Sequence, residues 1–170
     1  SLVIDFQVTD ISCPGAADGG IAPLVQGGFP PFSYSWADGA TDSLRTGLTA
    51  GTYSLQVEDA QGCSFNYDIA LTVPEPIAAT VAVEEPLCAG EPSGSLQLEA
   101  TGGTGPYTYL LETGATNTAG TFDNLAAGAY SYTITDANGC QLQSDTLIGE
   151  PDALQLQLDA QDATCFGSAN

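Results

Sequence analysis

The phrase "LTAGTYSLQVEDAQGC", Leu48 to Cys63, returns as "LAAGAYSYTITDANGC", Leu125 to Cys140, at a displacement of 77. Upstream, "SCPGAADGGIAPLVQGGFPPFSYSWADGA" (Ser12–Ala40) lies over "LCAGEPSGSLQLEATGGTGPYTYLLETGA" (Leu87–Ala115) at 75. Two residues are gained in "NTAGTFDN" and two lost before the next Glu-Pro pair. Glu75-Pro76 and Glu150-Pro151 are therefore again 75 apart. From Leu154 onward, "LQLQLDAQDATCFGSAN" matches "IAATVAVEEPLCAGEPS". A period of this length implies a tandem array in which each unit is one small domain. The expected division is residues 1–76, residues 77–152, and a third, truncated repeat opening with its first strand over 153–170.

Within each unit the side chains alternate with a period of two. Leu2, Ile4, Phe6 and Val8 share one face, as do Phe32, Tyr34 and Trp36, and then Tyr53, Leu55 and Val57. Such alternation is the signature of half-buried strands. Gly, Pro, Asn and Asp punctuate it every eight to twelve residues, and no helical period is visible. The expected fold is all-β, a tandem pair of immunoglobulin-like antiparallel β-sandwiches. In unit two the strands are expected near 77–85, 94–101, 106–112, 128–136 and 140–148, with a short irregular pair over 115–125. Pro23 is the misfit, because it falls inside an expected central strand where it would interrupt a ladder. "LTAGTY" and "LAAGAY" suggest a tyrosine corner, in which Tyr53 and Tyr130 bury their rings and their hydroxyls satisfy stranded backbone. Trp36, with Leu111 as its counterpart, is read as core filling.

Charge excludes whole classes of partner. Twenty-one acidic residues face one basic residue, Arg45, and histidine is absent. Phosphate binding needs clustered Lys and Arg, so nucleic acid is not an expected partner. Anionic membrane surfaces repel the chain, and no apolar run reaches the ~20 residues of a membrane span. Catalysis is not expected: no imidazole is available as a base, and Glu58-Asp59 and Glu84-Glu85 are strand neighbours that point to opposite faces. Both pairs are read as solvated strand ends. No cofactor is expected. Calcium is the one metal to weigh, at Asp10, Glu84, Glu85, Asp159 and Asp162, with Asp18 and Glu91 in the loops that follow, but no Asp-x-Asp ligand run appears.

The motifs together resemble the SprB-type repeat. They are a Cys-x-Gly opening (Cys13, Cys88), a Gly-Gly-x-x-Pro centre (Gly27 to Pro31, Gly102 to Pro106), a Leu-x-x-Gly-x-Tyr turn and an Asp-Ala-x-Gly-Cys close. The resemblance covers nearly the whole chain, with Phe32 and Leu111 as departures from the usual tyrosine and tryptophan. It implies a place in a long surface adhesin of gliding bacteria or their relatives, exported by type IX secretion to the outer cell surface. The expected role is a stalk segment that gives reach and stiffness. The alternative is a carbohydrate- or protein-binding module, or a spacer, in a secreted multidomain protein. Neighbouring repeats are the expected partners, with any surface or glycan ligand bound elsewhere in the full protein.

Five cysteines without a CxxC pair read as a disulfide framework in an oxidising compartment. Three pairings are open. Pairing within units would join Cys13 to Cys63 and Cys88 to Cys140. A hairpin-like scheme would join Cys63 to Cys88 and Cys140 to Cys165. In an immunoglobulin-like strand order, however, Cys13 and Cys63 lie at opposite poles. A strand of eight residues separates the poles by roughly 26 Å, whereas a disulfide needs Cα atoms within ~7 Å. Geometry therefore favours a staple across the joint, Cys13 to Cys140, with Cys63 pairing backward and Cys88 and Cys165 forward to further units.

Overall fold

A computed structural model describes residues 2–158. Among these the chain is all strand and loop, with no helix. The strands are β1 (Val3–Thr9), β2 (Gly19–Gln26), β3 (Ser33–Trp36), β4 (Arg45–Leu48), β5 (Gly51–Glu58) and β6 (Ser64–Leu71), followed by β7 (Ala78–Glu84), β8 (Gly94–Thr101), β9 (Thr108–Leu111), β10 (Thr116–Asn117), β11 (Thr121–Leu125), β12 (Gly128–Thr135) and β13 (Gln141–Ile148). Four antiparallel sheets result, ordered β1-β2-β4, β3-β5-β6, β7-β8-β11 and β10-β9-β12-β13. No sheet mixes strands from before and after residue 77.

Each pair of sheets encloses its own core. Ile4, Ile21 and Leu48 from one sheet meet Trp36, Leu55, Val57, Ile69 and Leu71 from the other. In the second half, Leu96, Leu98 and Phe122 meet Tyr109, Leu111, Tyr132 and Ile134. The Tyr109 hydroxyl also accepts a bond from the Ala100 amide, tying one sheet to its partner. The period-two alternation has its physical cause here: one face of each strand packs inward and the other meets solvent. Trp36 and Leu111 are both buried, and Trp36 Nε1 donates to the Asp42 carbonyl at 2.8 Å.

Pro23 sits inside β2 without breaking it, paired with Phe6 of β1. On the other side of β2, pairing with β4 stops at Ile21. Pro23 therefore lies beyond the central part of the sheet, where no second neighbour is present to miss a donor. The irregular region over 115–125 resolves into β10 and β11, and unit one has no strand equivalent to β10. The two inserted residues form a turn around Asn117, whose side-chain oxygen accepts the Ala119 and Gly120 amides while its nitrogen donates to the Thr121 carbonyl.

The lone cation makes the one ion pair among the described residues, Arg45 to Asp38 at 2.7 Å, and its guanidinium also lies 5.2 Å from the centre of the Trp36 ring. Residues 153–158, expected as the opening of a third repeat, form no strand, and Leu154, Leu156 and Leu158 stand exposed. Alternation alone does not make a strand; a ladder needs a neighbour, and none lies beside this segment among the described residues. The rest of that expected strand lies outside the described residues, as do Cys165, Asp159 and Asp162.

Candidate functional site: the inter-repeat joint

Three features meet where one unit gives way to the next: a turn, a linker and a loop. The turn is Asp136-Ala-Asn-Gly-Cys140. Asp136 is 94% buried, with 6% of its surface exposed, and its carboxylate is fully engaged. Oδ1 accepts the amides of Asn138 and Cys140, each at 2.9 Å, and Oδ2 accepts the amide of Thr104 at 2.9 Å. Burial works to raise the carboxyl pKa, but these amides outweigh it and hold the group below its ordinary value. Gly103, at φ +58°, makes room for the carboxylate: a Cβ there would come within 2.7 Å of Asp136 Oδ2. The Gly-Gly centre and the Asp-Ala-x-Gly-Cys close are thus two halves of one device that fixes the position of Cys140.

Unit one repeats the device. Asp59 Oδ1 accepts the amides of Gln61 and Cys63, and Oδ2 that of Phe29. Its pKa is lowered in the same way, against burial, by the amides of Cys63, Gln61 and Phe29. The reading of Glu58-Asp59 as a solvated strand end is corrected for Asp59, which is as buried as Asp136. An Asp that opens a glycine turn accepts local backbone amides, and this was the signal available in the sequence.

The linker, residues 72–77, is held from both sides. Thr72 donates its amide to Asp10 Oδ1 at 2.7 Å, and its carbonyl accepts the Ile11 amide at 3.1 Å, fixing it to the end of β1. The Glu75 carbonyl accepts the Gly103 amide at 2.7 Å, fixing it to unit two. Gly102, at φ +72°, lies so close to the linker that a Cβ would clash with the Pro76 carbonyl oxygen. Only Val73 and Pro74 lie between these anchors, and proline restricts its own φ.

The loop is Cys13-Pro14-Gly15, closed by the Ala16 amide donating to the Cys13 carbonyl. It reaches across to unit two, where Cys13 and Cys140 form a disulfide with Cα atoms 5.5 Å apart. Asn138 Nδ2 donates to the Ser12 carbonyl at 3.4 Å, and the Cys140 sulfur lies 3.2 Å from the same oxygen. A cavity of about 210 Å³ beside the bond is lined by Pro14, Pro76, Ile77, Gln141 and Leu142. The within-unit pairs Cys13–Cys63 and Cys88–Cys140 do not form: Cys63 and Cys88 are exposed free thiols. The alternative Cys63–Cys88 bond is absent for the same reason. The physical cause is the separation of the poles, since the loop after strand β1 and the turn before β6 lie at opposite ends of one sandwich.

The other sequence candidates do not gather. Asp10 serves the linker, Glu84 accepts the Ser95 hydroxyl at 3.2 Å, and Glu85 lies against Gly149. Among the described residues no three acidic or sulfur groups come together as a metal site. Tyr53 and Tyr130 donate their hydroxyls to the Thr49 and Ala126 carbonyls, both at 2.9 Å. Their rings are half-buried rather than buried, because the corner lies at the margin of the core. A surface depression of about 410 Å³ lies on the outer face of β3, β5 and β6 and is lined by Ser35, Ser54, Gln56, Asn66 and Asp68. No exposed aromatic ring lines it.

Two β-sandwich cores joined through an anchored linker and a covalent cross-tie are the arrangement of a repeat protein. The SprB repeat family model matches two segments of the chain, residues 6–41 and residues 80–116. The matched segments hold the Cys-x-Gly opening and the Gly-Gly centre of each unit. They stop before the Leu-x-x-Gly-x-Tyr turn and the cysteine close, so the match is narrower than the motif resemblance along the chain. SprB repeats occur in cell-surface proteins, and the family is a structural and adhesin repeat rather than an enzyme family. No curated protein matches the chain.

Proposed function

We propose that this chain is a stalk segment of a long, repetitive extracellular adhesin or surface fibre, in which consecutive immunoglobulin-like sandwiches, divided near residues 76 and 152, give reach and stiffness. The observation that carries the reading is the joint. A spacer that only tethers needs no cross-tie, whereas here Cys13–Cys140 doubles a linker already held at Thr72, Glu75 and Pro76. A disulfide persists in an oxidising compartment, which supports an outer-surface location. The family supports a place in a large surface adhesin. Service in gliding, and export by type IX secretion, follow from the family resemblance alone. The lack of histidine, and acids that serve structure, support a non-catalytic role. No bound metal is needed to explain any contact at the joint.

Solution scattering with glycan binding tests this reading. The oxidised chain is expected to scatter as one elongated particle with a narrow distribution of dimensions and to leave a glycan array blank. In Cys13→Ser the distribution should broaden. A glycan retained at millimolar strength by the depression around Gln56 and Asn66 would instead establish the binding-module reading.

A further inference from the structure

Arg45 is the one residue of this sequence that an arginine- or lysine-directed endoprotease can read, because lysine is absent. It stands in β4, paired with Ile21 of β2, as Phe122 of β11 is paired with Leu96 of β8. Phe122 is a core residue of unit two, so Arg45 occupies a register whose side chain points inward. The neighbouring core position changes with it: Trp36 stands where unit two has Leu111. The lone cation is therefore set into the margin of a core rather than on the surface, and only 15% of its side chain is exposed. Nη1 and Nη2 donate to the two carboxylate oxygens of Asp38 at 3.2 and 2.7 Å, and the guanidinium lies over the Trp36 ring.

The peptide bond after Arg45 is covered as well. Thr46 pairs with Gly20 of β2, and the Arg45 carbonyl lies so close that a Cβ on Gly20 would come within 3.3 Å of its oxygen. A trypsin-like enzyme needs a free basic side chain to enter its specificity pocket, and a free backbone carbonyl to attack. In the folded unit Asp38 already holds the guanidinium fork and β2 already holds the backbone. β4 is nevertheless a strand of only four residues at the edge of its sheet, with a register shift between Gly19 and Gly20 of its neighbour. Elements of this kind open locally at a free energy below that of global unfolding, and a protease cuts the opened form.

We infer that Arg45–Thr46 is a masked cleavage site for an arginine-directed endoprotease, open to it only when β4 leaves β2, and that the Cys13–Cys140 disulfide holds the two pieces together once the bond is cut. The cut consumes one water. Its oxygen joins the Arg45 carbonyl carbon, the C–N bond to Thr46 breaks, and both its protons end on the Thr46 nitrogen, leaving a carboxylate and an ammonium. The pieces are residues 1–45, which carry Cys13, and residues 46–170, which carry Cys140, so the sulfur bond joins them. Arg45 lies within the span that this bond bridges, and a pull transmitted through the sulfurs leaves the cut ends unloaded. The site goes beyond the stalk reading and does not rest on it. Cleavage is read from fragments, and the stalk from particle dimensions and glycan binding, so either can fail alone.

Trypsin is the probe, added to the oxidised whole chain without denaturant. The expected result is one slow cut, placed at Arg45–Thr46 by fragment mass. Reducing gels should show two fragments and non-reducing gels a single band near the uncut chain, whereas the fragments of cut Cys13→Ser should part without reductant. Asp38→Ala frees the guanidinium, and Arg45→Lys keeps a residue that trypsin accepts but loses the planar fork. Each should be cut at least tenfold faster than the parent. An exposed ion pair adds little stability, so the urea midpoint read from Trp36 fluorescence should stay close to the parent's in both. A variant that loses that midpoint is set aside and the comparison read from the other. Two results would overturn the inference: a parent cut as fast as the folded variants, or oxidised parent fragments that part without dithiothreitol.

Discussion

Asp59 and Asp136 each hold three backbone amides in a nearly dry turn, and a charged acceptor binds amides more strongly than a neutral one. Their folded pKa values are lowered. The unfolded chain therefore takes up protons first on acidification. Their contribution is complete above the ordinary carboxylate pKa of ≈ 3.9 and is lost as the pH falls through the folded values. Urea midpoints should accordingly fall below about pH 4, and Asp136→Asn should lower the midpoint at pH 7 while flattening the acid limb. An acid limb as steep in the mutant as in the parent would contradict this assignment. At the corner, Tyr53→Phe and Tyr130→Phe each remove a hydroxyl and strand a carbonyl, a loss of about 1 kcal/mol apiece. Equal denaturant midpoints for mutant and parent would reduce both tyrosines to ordinary packing. The aspartates were harder to foresee than the tyrosines. Tyr53 and Tyr130 occupy a Leu-x-x-Gly-x-Tyr pattern that suggests a corner, whereas Asp59, beside Glu58, reads equally well as a solvated end. Only the distant Gly-Gly turn, 32 residues before Asp136, supplies the third amide.

At the scale of the element, the long strands were legible because alternation and turn residues agree along them. β8 and β12 follow the expected 94–101 and 128–136 within a residue. β10 and β11 were not separable, since two to five residues give too little periodicity and the Asn117 turn is built from side-chain bonds. The two cores share no residue, which predicts separable stabilities once the cross-tie is reduced. Trp36, the sole tryptophan, reports on unit one alone. Leu96 is wholly buried in unit two, and Leu96→Ala is expected to cost 2–5 kcal/mol there. Under dithiothreitol, the Trp36 fluorescence transition should stay in place while the other circular-dichroism transition moves to lower urea. A Trp36 midpoint that shifts with Leu96→Ala would mean that the units fold as one. The joint was legible only in its cysteines; its anchors at Thr72 and Gly103 come from backbone groups that any residue carries.

For the whole molecule, the cross-tie changes the path of force. Tension applied at the two ends of an untied chain is borne by both sandwiches in series. With Cys13 bonded to Cys140 it passes along β1, through the sulfurs and out along β13. The 127-residue span between the two cysteines is bypassed. At ~3.3–3.6 Å per extended residue, that span hides roughly 420–460 Å of contour. A stalk built in this way resists lengthening even when a unit unfolds, which is what reach under shear requires. Single-molecule pulling from the termini, oxidised and then reduced, measures this directly. The oxidised chain should never release the hidden contour, and dithiothreitol should release about 420–460 Å of it in unfolding steps. Full extension of the oxidised chain to the reduced length would show that Cys13 and Cys140 do not carry the load between repeats.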